Sequence, residues 1–163
     1  MAWLAQEQIL FDGARLRRDL EVTMAPDASL TLVESVVFGR LAMGESIAAG
    51  CFRDRWRVRR GGQLVLAEEV ALQGRVSDIL NRPAVGGGAR ALATFLHVAP
   101  DAEAQLERVR DGLAGASCEC GATALPGMVL ARFLSANPLA LRTDLATFVA
   151  GFRREPMPRS WQT

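Results

Sequence analysis

Two acidic residues carry the clearest chemical signal in this sequence, because their neighbours at a spacing of two residues are apolar. Glu34 lies between Leu32 and Val36, and Glu68 is flanked in the same way. Residues two apart in a β-strand share a face, so each carboxylate is expected on an apolar face. A buried carboxylate is unfavourable unless it is paired, hydrated or bound to a cation. Both could line a hydrated passage or bind a divalent cation transiently, although pairing with arginine is the simpler interpretation of the pattern alone.

A second candidate site is the Cys-x-Cys sequence Cys118-Glu119-Cys120. If this segment forms a strand, both sulfurs point to the same face, and two thiolates with a carboxylate could bind a soft or borderline metal. A complete site needs more ligands than these three residues supply. Small buried cysteines are also common in proteins. We therefore interpret Cys118 and Cys120 as packed thiols and keep a metal site as the less favoured alternative.

Recognisable catalytic motifs are absent from the sequence. The only histidine, His97, alternates with apolar residues on a predicted strand, so we interpret it as a packed side chain. One histidine excludes most multi-histidine metal sites within a single chain. No nucleophile elbow, P-loop or zinc-protease motif occurs. The sequence therefore predicts a protein that is not an enzyme.

Alternating arginines mark one predicted strand, from Arg53 to Arg59. The residues between them include Trp56 and Val58, which identify the opposite face as the buried one. The arginines could bind phosphate or an acidic partner surface. A solvated strand face is the simpler interpretation.

The bulk composition is that of an ordinary globular domain. The chain has 163 residues, 50% of them hydrophobic and 23% charged, and its formal net charge is +1. This charge gives no reason to expect nucleic acid or an acidic membrane as a partner, and no apolar run approaches the roughly 20 residues of a membrane helix. The three cysteines are an odd number, and no signal peptide is apparent, so we expect a reduced, cytoplasmic protein.

The hydrophobic periodicity predicts a β-rich α+β fold with stacked β-sheets, layered or solenoid-like, in one domain over residues 1–163. Successive strands with a period of two occupy the first two-thirds, and Gly61-Gly62 indicates a hairpin. Two helices are predicted in the C-terminal third. Asp101 is the expected N-cap of the first, and Asn137-Pro138 begins the second.

Five segments of the chain, in their order, resemble the UreD/UreH urease accessory proteins. Each motif is short, but their co-linear order extends over essentially the whole chain. The matching segments are Trp3–Leu16, with Trp3, Gln6, Glu7, Asp12 and Gly13; Glu34–Glu45, with Gly39, Arg40, Gly44 and Glu45; Arg57–Glu68; Arg82–Gly86; and Pro158–Trp161, with Trp161. The first of these segments is expected to be a structural hairpin around the Asp12-Gly13 turn.

This resemblance implies a cytoplasmic, non-enzymatic scaffold that serves nickel incorporation into apo-urease. Such scaffolds bind a UreF-type accessory protein, which recruits a UreG-type GTPase, and the assembly docks on apo-urease. The resemblance also implies an internal passage for Ni(II), with no tightly bound cofactor. Glu34 and Glu68 match positions where acidic residues are implicated in that passage, which favours a functional role for both.

The chain also departs from the family's pattern. Its first motif begins almost at Met1, whereas in the family this motif falls well inside the chain, so we expect the family's N-terminal part to be missing and one strand edge to be open. Ala5 stands where the family usually has proline, and Ser160 replaces an apolar residue before Trp161. The alternative function is therefore a decayed or stand-alone β-rich protein-interaction domain with no nickel role.

Overall fold

A computed structural model describes residues 1–161 of the chain, and these contain nine strands and three α-helices. The strands are β1 (Ala2–Leu4), β2 (Gln8–Leu10), β3 (Arg15–Met24), β4 (Leu30–Phe38), β5 (Gly50–Arg60), β6 (Gln63–Gly74), β7 (Ala91–Val98), β8 (Glu119–Leu125) and β9 (Met128–Ser135). The helices are α1 (Val76–Leu80), α2 (Leu106–Leu113) and α3 (Pro138–Arg153). The predicted β-rich α+β class is confirmed. Among these helices, none has the length and apolar character needed to cross a membrane.

The chain divides into two compact units that interleave along the sequence. Among the described residues, the first contains residues 1–8, 29–37 and 89–161, and the second contains residues 9–28 and 38–88. The short helix α1 in the second unit and strand β8 in the first were not predicted.

The first unit is built on a mixed sheet with strand order β1-β4-β7-β9-β8. Strand β1 runs parallel to β4, whereas the other neighbours along this order are antiparallel. Every residue of β4 is buried, so this strand is covered on both faces. Its position beside β1 and β7 fixes the surroundings of Glu34.

Helices α2 and α3 pack on one face of this sheet and form the core of the first unit. Phe95 of β7 meets Phe148 and Phe152 of α3 edge-on, with ring centres 4.9 Å apart in both pairs. Helix α3 begins as predicted, because the side chain of Asn137 accepts hydrogen bonds from two backbone N–H groups of the first turn.

Asp101 lies at the N-cap position of the first C-terminal helical segment, as predicted. A 3-10 turn over Ala102–Gln105 precedes α2, and the Asp101 side chain makes no capping hydrogen bond to it. The regular helix begins only at Leu106. The apolar spacing therefore located the helical segment, but its first turn is a 3-10 helix and not an α-helix.

The second unit contains a three-stranded sheet in the order β3-β5-β6. The hairpin between β5 and β6 is confirmed, and Gly61 and Gly62 close it with φ angles of 57° and 81°. Positive φ at both central residues is the conformation that favours glycine in tight hairpins. A bulge between Val58 and Arg59 shifts the register of β6, so that Leu64 is 46% exposed instead of continuing the apolar face.

The predicted hairpin around Asp12-Gly13 is wrong. In a hairpin, β3 would pair with the strand before the turn, whereas it pairs in parallel with β5. The Asp12 carboxylate accepts hydrogen bonds of 2.8 and 2.9 Å from the backbone N–H groups of Ala48 and Ala49. The N–H of Gly13 donates to the Ala49 carbonyl at 2.9 Å. The turn is thus fastened to the segment before β5, and this starts β3 and β5 side by side in the same direction.

Candidate functional site

Glu34 is a buried carboxylate in the middle of β4. Its residue is only 6% exposed, as its apolar neighbours predicted. The indole N–H of Trp3 in β1 donates a hydrogen bond of 2.8 Å to its Oε1 atom. Along the sheet, Glu34 is paired in register with Thr94 of β7, and Thr94 with Arg132 of β9. The carboxylate therefore belongs to a polar row across a mostly apolar sheet.

Glu68 lies in β6 of the second unit and is half-buried. Its register partner is Trp56 of β5, which is 4% exposed. The indole N–H of Trp56 is buried without a hydrogen-bond partner among the described residues. Glu68 thus shares the sheet face of the buried tryptophan, as predicted, but it is more accessible than Glu34.

A second buried carboxylate, in addition to Glu34, was not predicted from the sequence. Asp54 of β5 is 8% exposed, and its two oxygens accept hydrogen bonds of 2.9 and 2.5 Å from Nε and Nη2 of Arg18 in β3. This is the bidentate geometry that compensates a buried carboxylate well. The spacing of Asp54 between Phe52 and Trp56 is the same signal that identified Glu34. Asp54 therefore pairs with an arginine, which was the simpler interpretation of Glu34 and Glu68 in the sequence.

Gln6, Glu7 and Trp161, which lie near opposite ends of the sequence, come together in the first unit. Arg142 of α3 forms an ion pair with Glu7 and donates a hydrogen bond of 3.0 Å to the carbonyl oxygen of Trp161. Its guanidinium also lies 5.5 Å from the centre of the Trp161 ring. The Trp161 indole donates to the Leu4 carbonyl at 3.1 Å, and the Gln6 side-chain amide donates to the backbone at position 160. These contacts fasten the end of the described chain to the segment after β1, and we call them the terminal clamp.

Asp12, Arg40 and Glu45 form a second motif cluster, within the second unit. Glu45 accepts a hydrogen bond of 2.7 Å from the backbone N–H of Asp12 and forms an ion pair with Arg40. The Arg40 contact holds the pKa of Glu45 below its usual value. Backbone donors at Ala49 and Ala48 likewise lower the pKa of Asp12. This cluster orders the loop after β4.

Two glycines of the same loop have left-handed backbone conformations. Gly39 has a φ of 99° and Gly44 a φ of 72°. A β-carbon added to Gly39 would lie 2.7 Å from the carbonyl oxygen of Glu45, whereas one added to Gly44 would meet nothing within 4 Å. Gly39 is therefore required by close packing as well as by backbone conformation.

Cys118 and Cys120 lie beside Asp144 of α3, an arrangement that does not favour metal binding. Burial and a hydrogen bond to the Asp144 carboxylate raise the pKa of the Cys118 thiol to about 12, and burial raises that of Cys120. Protonated thiols are poor metal ligands. Within residues 1–161, no three His, Cys, Asp or Glu side chains are grouped so that they could hold a metal ion.

His97 is half-buried in β7, and its Nδ1 atom lies 3.0 Å from the hydroxyl of Thr31. Its ring meets Phe152 edge-on at 5.1 Å, and burial lowers its pKa. These contacts fit the predicted packed role.

Comparison with known families decides the family of the chain. A model of the family described as UreD urease accessory protein matches residues 1–162. The chain belongs to the UreD family. Its relatives in that family include a protein named urease accessory protein UreD from Methylobacterium sp. (strain 4-46), which is 49% identical over the whole of this chain. Proteins with the same name from Xanthobacter autotrophicus and Beijerinckia indica are 48% and 50% identical over 99% of it.

These UreD relatives are longer than the chain described here. The chain spans 60% of the Methylobacterium protein, 56% of the Xanthobacter protein and 60% of the Beijerinckia protein. The residues that carry the resemblance to UreD proteins fall into two groups with different roles. The terminal clamp and the loop cluster hold backbone segments in place, whereas Glu34 and Glu68 are acidic residues on buried sheet faces.

Proposed function

We propose that this protein is a non-enzymatic, cytoplasmic scaffold for urease maturation that serves nickel incorporation into apo-urease. Membership of the UreD family along residues 1–162 carries this proposal, and its relatives are named urease accessory proteins. The side chains support a scaffold rather than a catalyst. The thiol of Cys118 has a raised pKa, and His97 is packed between Thr31 and Phe152.

Within this role, Glu34 and Glu68 are proposed to contact Ni(II) transiently as it passes through the protein. Glu34 provides the stronger support, because it is buried and its carboxylate is oriented by the Trp3 indole. Carboxylate oxygens bind divalent cations with labile bonds, which suits a cargo that must be released. Glu68 extends the same chemistry to the second unit.

The partners proposed are a UreF-type accessory protein, a UreG-type GTPase recruited through it, and apo-urease. The test is co-purification of this chain with the cognate UreF-type protein and apo-urease, alone and with the additional length of a relative supplied as a separate polypeptide. The proposal predicts a stable complex in at least one arrangement. Failure to associate in both would contradict it.

A second candidate function is that of a β-rich protein-interaction domain without a nickel role. It is favoured by the contacts of the motif residues, since Gln6, Glu7, Trp161, Asp12 and Glu45 all hold backbone segments or each other. The two functions differ in one result. A scaffold for nickel incorporation loses urease activation when Glu34 is changed, and an interaction domain does not.

A further inference from the structure

One face of the β3-β5-β6 sheet carries an excess of arginine, and we call it the arginine face. Strand alternation and register bring its charged residues together, with six arginines against three acidic residues. These are Arg15, Arg17, Arg53, Arg55, Arg57 and Arg59, with Asp19, Glu21 and Glu69. The chain as a whole carries a net charge of only +1. Positive charge is thus concentrated on this face.

At one end of the arginine face, the acidic residues form ion pairs with the arginines. Arg53 donates hydrogen bonds of 2.8 and 3.0 Å to Glu69. Asp19 lies 2.6 Å from Arg55 and 3.1 Å from Arg17. These ion pairs engage the side chains of Arg17, Arg53 and Arg55.

The arginines at the other end of the face form no such ion pairs among the described residues. Arg57 donates to the carbonyl oxygens of residues 56 and 68, at 2.9 and 3.4 Å, so its guanidinium is held close to the sheet. Among the described residues, Arg59 makes no ion pair or hydrogen bond through its side chain, and Glu21 forms no ion pair with Arg57. Neither Arg57 nor Arg59 therefore forms an ion pair among the described residues, although the charge of Arg57 also acts on Glu69.

The surface around these two arginines is shallow and partly apolar. A cleft of about 170 Å³ lies between β3 and β5 and is lined by Glu21, Thr23, Arg55, Arg57 and Arg59, with Val22. On the β6 side, the register partner of Arg57 is Ala67, which is too short to cover the guanidinium, and the partner of Arg59 is the exposed Leu64. The β-bulge that exposes Leu64 thus places an apolar side chain beside an unpaired arginine.

We propose that this end of the arginine face binds an extended acidic segment of a partner protein. Arg57 and Arg59 are two residues apart on a strand, so their side chains are about 7 Å apart. Acidic residues at positions i and i+2 of an extended partner have the same spacing, and an apolar residue at position i+4 shares their face and would contact Leu64. Asp19, Glu21 and Glu69 interrupt the face, which disfavours the continuous phosphate track of a nucleic acid. This inference goes beyond the urease-maturation proposal and does not depend on it.

The experiment uses the full chain and a fluorescein-labelled peptide containing the sequence Glu-Ser-Glu-Ser-Leu, with binding measured by anisotropy at low ionic strength. The test variant is Arg57→Gln with Arg59→Gln. The matched control is Arg75→Gln with Arg82→Gln, which removes the same charge from exposed positions of the second unit outside the sheet face. We expect the test variant to raise the dissociation constant by about tenfold, equivalent to 1.4 kcal/mol. The control should raise it by less than about twofold.

Three results would overturn the inference. The first is an absence of binding by the unchanged chain. The second is an equal loss in the two double variants, which would mean that net charge alone attracts the peptide. The third is tighter binding of a single-stranded oligonucleotide with the same dependence on Arg57 and Arg59. The single change Arg59→Gln, at an exposed side chain that makes no ion pair or hydrogen bond with the rest of the described chain, keeps the test independent of folding.

Discussion

The indole N–H of Trp3 donates a hydrogen bond of 2.8 Å to the carboxylate of Glu34. Trp3 is 47% exposed at the edge of the sheet, whereas Glu34 is 6% exposed in its middle. The contact therefore connects a surface residue of the first motif to the buried acidic residue that the same resemblance singled out. It gives Trp3 a specific function, which is to orient the carboxylate of Glu34.

Trp3→Phe is expected to destabilise the protein by about 1 kcal/mol, because it removes one donor from a buried carboxylate and keeps an aromatic ring. The free energy of unfolding in urea measures this effect. In a Glu34→Leu background the same change should have a clearly smaller effect, since the acceptor is gone. Equal effects in the two backgrounds would show that the indole acts only through packing.

Arg142→Gln is expected to destabilise the terminal clamp by about 2 kcal/mol, because it removes the Glu7 ion pair and the contact with the Trp161 ring together. Arg142→Lys should recover only part of the loss, since an ammonium group lacks the planar, forked geometry of a guanidinium. Thermal unfolding and the rate of proteolysis near residue 158 are the measurements. Full recovery by lysine would contradict the role assigned to the guanidinium.

Gly39 and Gly44 provide a matched pair within one loop. Gly44→Ala should cost about 1–2 kcal/mol, the usual penalty for a left-handed conformation in a residue with a β-carbon. Gly39→Ala should cost more, because its β-carbon would also lie 2.7 Å from the Glu45 carbonyl. Equal unfolding free energies for the two variants would contradict the close approach of residue 39 to the Glu45 carbonyl.

The Cys118 thiol should react slowly with iodoacetamide at pH 8. With a pKa of about 12, about one thiol in ten thousand is ionised at that pH. Modification of Cys118, followed by peptide mass spectrometry, should therefore be much faster in urea than in the native protein. Asp144→Asn should accelerate native labelling, since the aspartate charge and its hydrogen bond help to raise the thiol pKa. Rapid native labelling of Cys118 would refute this environment.

Signals that depend on a few adjacent residues predicted the structure well. The Asn137-Pro138 start of α3, the Gly61-Gly62 hairpin and the apolar face around Glu34 each depend on local backbone preferences or on strand alternation. Such preferences act between residues that are close in the chain, so they can be recognised from the sequence alone.

Non-local pairing was not predictable in the same way. The Asp12-Gly13 turn resembles a hairpin locally, but the partner of β3 is β5, more than 30 residues further along the chain. Glu7 and Arg142, 135 residues apart, contact each other only because the fold brings them together. The bulge at Leu64 likewise depends on the register of the neighbouring strand. In contrast, Asp54 could have been found, because it shows the same apolar spacing that identified Glu34.

The most direct test of nickel incorporation compares nickel loading with assembly in the complex of this chain, the UreF-type protein and apo-urease. Glu34→Gln keeps an acceptor for Trp3 but removes the charge, Glu68→Gln does the same in β6, and Glu119→Gln at an exposed position is the matched control. The two test variants should lower the nickel content and activity of urease by about tenfold while the amount of complex stays unchanged. Unchanged nickel loading, or a parallel loss of complex, would contradict the nickel role of these carboxylates.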